Sequence, residues 1–263
     1  MKLEKPTSYL EVTFFTLVVY QCIHGILLSF FYIPIMEDYT AFQSIVSTSV
    51  LLKHGWFFQQ MHKQGVHLLI IISISLLFFQ FKRVSFTKKE YLAWVLALLV
   101  IVIMLFSTFS GNILVGDGFA KQSYQIGGNF IREIPLIGYF VHLVFYVSDA
   151  PELHTNSLMR FYILHILVLP AVLIILLRLK RSIQIKETFS TIENSLIILG
   201  SLLFQTILSF ALPLKDRTNP YTPDWFFYPI NFLQYEFPIS IVGLFLGLVL
   251  IILLSLPRMI RKK

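Results

Sequence analysis

The sequence predicts an all-α integral membrane protein of six transmembrane helices with both termini in the cytoplasm. Three observations carry that expectation. Of 263 residues, 56% are hydrophobic and only 13% charged, and the mean hydropathy is +0.76; so little polar surface cannot dress a water-soluble globule of this size. Six apolar runs are each long enough to cross about 30 Å of hydrocarbon. The basic residues are divided unevenly among the segments between those runs.

The runs lie near residues 9–32, 57–81, 91–109, 161–177, 195–214 and 239–256 and are labelled A to F. Run A is too long and too sparsely flanked for a cleaved signal peptide, and no small-residue cleavage site follows it, so it is expected to be mature structure. With the N-terminus inside, the inner segments hold 14 of the 21 Lys and Arg residues, among them Lys82, Arg83, Lys88, Lys89, Arg178 and Lys180, and the outer segments hold 7. That excess sets the expected orientation. The net charge of +7 is thereby explained as a topology signal, and it gives no reason to expect a nucleic-acid partner.

Cys22 is the one cysteine, which excludes a disulfide framework, a thiolate metal site and a thioether attachment. The long connections, 33–55, 111–160 and 215–238, all fall on the outer side, where chemistry is therefore expected.

Ionisable or ligating side chains inside a membrane helix are costly and mark function. Two of the seven histidines match in depth. His62 lies six residues beyond Trp56, where run B begins outside, and His165 lies five beyond Arg160, where run D begins outside. At a rise of about 1.5 Å per residue both stand roughly 8 to 9 Å below the outer interface. Two imidazoles at one level on two helices meet the demand of a six-coordinate haem b. The competing reading is that each histidine caps a loop or satisfies a neighbouring carbonyl.

The residues around this pair resemble cytochrome b of the quinol-oxidising bc complexes, most closely the split photosynthetic form. Run B opens with Gly55-Trp56 and His62, followed by Gly65. Run D opens with Arg160-Phe161-Tyr162 and His165 and continues to Pro170. Ile134-Pro135-Leu136-Ile137-Gly138 is similar to the family's connection between the third and fourth helices. Pro223-Asp224-Trp225-Phe226 is similar to its Pro-Glu-Trp-Tyr element.

The resemblance implies a four-helix haem domain over 1–187 and a two-helix segment over 188–263 that carries the Pro223 to Phe226 element. It implies haem b on His62 and His165, with Gly25 and Gly111 letting helices approach the porphyrin and Arg160 at either a propionate or a loop carbonyl. It implies a quinol site at Pro223, Asp224, Trp225 and Phe226, with Asp224 accepting a quinol proton. The implied partners are a Rieske iron-sulfur protein, a c-type cytochrome and a second copy of the chain, in a bacterial-type plasma membrane.

The departures follow a pattern. The family's second, inner haem takes ligands fourteen or fifteen residues further along the same two helices, at Leu76 and Lys180 here. The inner glycine positions are Glu11 with Val12, and Ala97, and the attachment position of the split form's additional haem is Tyr9. One haem is therefore expected, with Lys180 snorkelling to the inner interface. Gln59 stands for a propionate-side arginine, and Val115-Gly116-Asp117 for a Pro-Trp element. His24 and His67, near the bilayer centre, are read mainly as interhelical hydrogen-bonding groups. Two rival functions remain open: a non-catalytic anchor that keeps the fold, and a small-solute transporter, for which the broken helices and internal symmetry are missing.

Overall fold

The computed structural model describes residues 4–83, 87–134, 138–146, 152–183, 190–211, 227, 236 and 238–260. Runs A, B and C form α1 (Glu4–Ser29), α3 (Gly55–Arg83) and α4 (Lys88–Leu114). Run D forms α7 (Thr155–Ile163), a π turn (Leu164–Val168) and α8 (Leu169–Ile183) in one continuous rod. Runs E and F form α9 (Thr191–Ala211) and α10 (Ile239–Ile260). Five of these rods are long and apolar enough to cross a membrane, from Ser8–Ser29 to Ile192–Ala211.

Local chemistry starts the helices where the apolar runs alone leave the boundary open. Thr87 and Glu90 make a reciprocal capping box at α4, each satisfying the other's backbone N–H. Ser190 and Glu193 repeat it at α9. The π turn ends where Pro170 removes a backbone donor, and Leu169 N–H reaches back five residues to the Leu164 carbonyl.

The outer connections hold more helix than their polarity suggested. A 3-10 turn (Glu37–Tyr39) and α2 (Thr40–Leu51) lie between α1 and α3, and α5 (Gly118–Arg132) and α6 (Gly138–Phe145) lie between α4 and α7. Gly116, at φ +70°, makes the left-handed turn out of α4 that a side chain would resist. Asp117 then caps α5, its Oδ1 accepting from Ala120 N–H at 2.8 Å.

The bundle pairs α1 with α3, α3 with α4, and α4 with α8, while α9 lies against α1 and α3. Its interior divides into two cores. The outer one gathers Ile113, Tyr124, Tyr146, Leu158 and Phe161; the inner one gathers Phe14, Leu17, Leu69, Leu76, Val100 and Leu173. Trp94 fastens α10 to the inner end of α4 by donating from Nε1 to the Leu253 carbonyl at 2.9 Å.

Candidate functional site: two histidines between two cores

His62 on α3 and His165 in the π turn face each other between the two cores. Their ring centroids are 6.2 Å apart, with planes inclined at 76°. Two metal–imidazole bonds of about 2 Å, plus about 1.1 Å from each nitrogen to its ring centre, sum to about 6.2 Å, so one metal ion fits between the rings. A Cβ on Gly25 of α1 would stand 3.1 Å from His62 Cε1, and one on Gly111 of α4 2.9 Å from His165 Cε1. Each glycine thus opens space for the edge of its own imidazole, a closer role than the expected approach of helix to porphyrin.

The two rings are held differently. His165 Nδ1 lies 3.0 Å from the Ser107 carbonyl and 3.0 Å from Ser110 Oγ. With its Nδ1 proton donated to that carbonyl, His165 keeps the Nε2 lone pair free to bind a metal. His62 is gripped through its backbone, since the Gln21 amide donates to its carbonyl and Gln205 Nε2 donates to the preceding Met61 carbonyl at 2.9 Å. The buried Nδ1 of His62 has no hydrogen-bond partner among the described residues. An imidazole pair at this spacing, with a glycine beside each ring, fits a bis-imidazole haem.

The second level does not fit one. Leu76 is buried in the inner core, and Ala97 on α4 is buried as well. Lys180 does not snorkel as expected. Its side chain is only 10% exposed, and Nζ sits 3.5 Å from Glu11 Oε1 of α1.

Other expected residues take definite places. Arg160 takes the carbonyl alternative: it is exposed and donates to the Leu143 and Val144 carbonyls at 3.1 and 2.7 Å, capping the end of α6. Gln59 ties α3 to α2 through the Ile45 carbonyl at 2.7 Å. His24 is buried against Tyr20, with ring centroids 4.2 Å apart. Pro223, Asp224, Trp225 and Phe226 lie outside the described residues, as do 135–137 of the connection before α6.

Sequence reasoning missed the π turn, the serine pair behind His165 and the glutamines behind His62. Ser107 and Ser110 lie four and one residues before Gly111; Ser107 shares the glycine's face of α4, and Ser110 stands about 100° round the helix from the glycine and one turn on from Ser107.

Comparison with known proteins places the chain among proteins of this architecture. It is 27% identical over 159 residues to cytochrome b6 of Heliomicrobium gestii, covering 60% of this chain and 73% of that one. It is 27% identical over 163 residues to the menaquinol:cytochrome c reductase cytochrome b subunit of Bacillus subtilis, covering 62% and 70%. Cytochrome b of Acanthamoeba castellanii aligns over 90% of this chain and 69% of its own length at 24% identity. A chain of a hyperthermophilic respiratory Complex III superposes with a TM-score of 0.76 at 16% identity, covering 95% of this chain and 75% of that one, which shows a shared fold. The sequence profile described as Cytochrome b/b6/petB matches residues 8–189, and the chain belongs to that family.

Proposed function

We propose that this protein is the electron-transfer subunit of a quinol:cytochrome c oxidoreductase-like complex and holds a single haem b between His62 and His165 near the outer face of the membrane. The observation that carries this reading is the imidazole pair at 6.2 Å, backed by glycines at 25 and 111, above a second level where Leu76 and the Lys180–Glu11 ion pair stand instead. Haem b held by two imidazoles supplies single-electron transfer with no open position for oxygen. The chain's own part is to orient the rings through Ser107 and Ser110 on one side and Gln21 and Gln205 on the other. Both cores exclude water from the pair.

Quinol oxidation at the outer face is proposed on the Pro223-Asp224-Trp225-Phe226 element, with Asp224 receiving a proton; an apolar setting raises a carboxylate towards the range where it works as a base. The relatives named as menaquinol:cytochrome c reductase subunits support a Rieske protein and a c-type cytochrome as partners. We assign six spans with both termini inside a bacterial-type plasma membrane, a haem domain over 1–187, a two-helix segment over 188–263 and a second copy of the chain in the complex. Without a second haem, electrons stay on the outer side.

A pyridine haemochrome assay on the purified protein is expected to give one haem per polypeptide, and none for H62A or H165A. Quinol is expected to reduce that haem, and Asp224→Asn to stop the reduction. Two haems per chain would overturn the single-site reading, and a haem that quinol never reduces would favour a structural anchor.

A further inference from the structure

We infer that Ser110 is a positioning residue that sets the redox potential of this centre, by giving the Nδ1 proton of His165 a second acceptor. The inference rests on His165 being a haem ligand. It starts from a triangle of polar atoms inside a helix packing interface. Ser110 is fully buried; its Oγ lies 2.9 Å from the Ser107 carbonyl and 3.0 Å from His165 Nδ1. The same Nδ1 lies 3.0 Å from that carbonyl.

Proton accounting assigns the roles. With Nε2 given to a metal, the neutral imidazole carries its proton on Nδ1, so His165 donates. The hydroxyl of Ser110 has one proton and the Ser107 carbonyl within reach, so it donates there. Its lone pairs are then left to accept from Nδ1–H. The proton of His165 is shared between a carbonyl and a hydroxyl that are themselves hydrogen-bonded, and such a chain polarises both partners. Pulling on the Nδ1 proton makes Nε2 a stronger donor, which favours the ferric state and lowers the potential.

Two features separate this device from ordinary helix packing. Ser44 and Ser209, also buried, bond back to a carbonyl of their own helix, whereas Ser110 does so and also meets a histidine. His62, in contrast, has no partner on Nδ1 among the described residues, and the proposed tuning acts through His165.

The test is an anaerobic redox titration of the purified haem-loaded protein, followed optically. Ser110→Ala is expected to raise the ferrous-to-ferric ratio at fixed ambient potential about threefold, a positive shift of about 28 mV at 59 mV per decade. Ser110→Thr, which keeps the hydroxyl, is expected to restore the wild-type value. Ser110→Cys is nearly isosteric and a weaker acceptor; it is expected to shift in the same direction by less, and it stands in if the alanine variant does not assemble. An unchanged midpoint in whichever of the two assembles overturns the inference, as does a threonine variant that behaves like alanine. Haem retained in full by His165→Ala would overturn the ligand reading beneath it, a separate result from an unmoved potential.

Discussion

The outer and inner halves of this bundle are built from the same four rods, yet they solve different problems. Around His62 and His165 the helices use glycine and hydrogen bonds to keep two imidazoles apart and aligned. One level further in, Glu11 stands on α1, Leu76 on α3, Ala97 on α4 and Lys180 on α8, and the space between the rods is filled with side chains. The difference teaches that the same four rods can hold paired imidazoles at one level and close on side-chain volume and a charge pair at the next.

The strongest way to break the contrast is to fill the outer half as the inner one is filled. Gly111→Leu is expected to abolish haem binding, read as absorbance per polypeptide, because even a Cβ there stands 2.9 Å from His165 Cε1. Gly25→Ala, at 3.1 Å from His62, is expected to lower haem occupancy and leave some bound.

The inner half is probed by charge. Glu11→Gln takes the half-exposed carboxylate away from the Lys180 ammonium and is expected to destabilise the protein by about 1 kcal/mol, seen as a lower Tm in detergent. The double variant E11M/K180M is expected to recover most of that loss, since an apolar pair of similar volume replaces the ion pair at little cost. Recovery would sharpen the view that this level is now a packing interface; a double variant as unstable as the single one would break it.

The smallest effect lies on the outer surface. Thr155 Oγ1 donates to Glu37 Oε2 at 2.5 Å and accepts from Met36 N–H at 2.7 Å, joining the segment before α2 to the start of α7. The hydrogen bond from Thr155 holds the Glu37 carboxyl below the usual carboxylate range. A lowered folded-state value means the contribution is present above the unfolded value and fades as pH falls through the folded one. Thr155→Val is therefore expected to remove a small acid-dependent part of the stability, measured as Tm between pH 7 and pH 3.

Hydropathy was sufficient to find the long rods, because about twenty apolar residues in a row have few structural outlets. It was insufficient for α2, α5 and α6, which are 12, 15 and 8 residues long and so too short to register as spans. Their starts depend on single residues such as Asp117 and Gly116. The matched depth of the two histidines was legible, since rise per residue is fixed, but depth left the loop-capping reading open and the residues around the pair tipped the expectation. The pair's bracing was not legible, because Ser107, Ser110, Gln21 and Gln205 come from rods whose rotation a single sequence leaves open. Lys180 was misread because snorkelling is judged from one helix, while Glu11 sits 169 positions away in the chain and becomes a neighbour only after folding.

The wide turn at Leu164–Val168 has a consequence for register. His62 and Leu76 are fourteen residues apart, His165 and Lys180 fifteen, so two straight helices would present their second members to directions differing by about 100°. One extra residue taken up in a π turn cancels that offset. Lys180 therefore points at α1 and its carboxylate, and the odd spacing of the fourth rod is absorbed before it can twist the charge pair out of line.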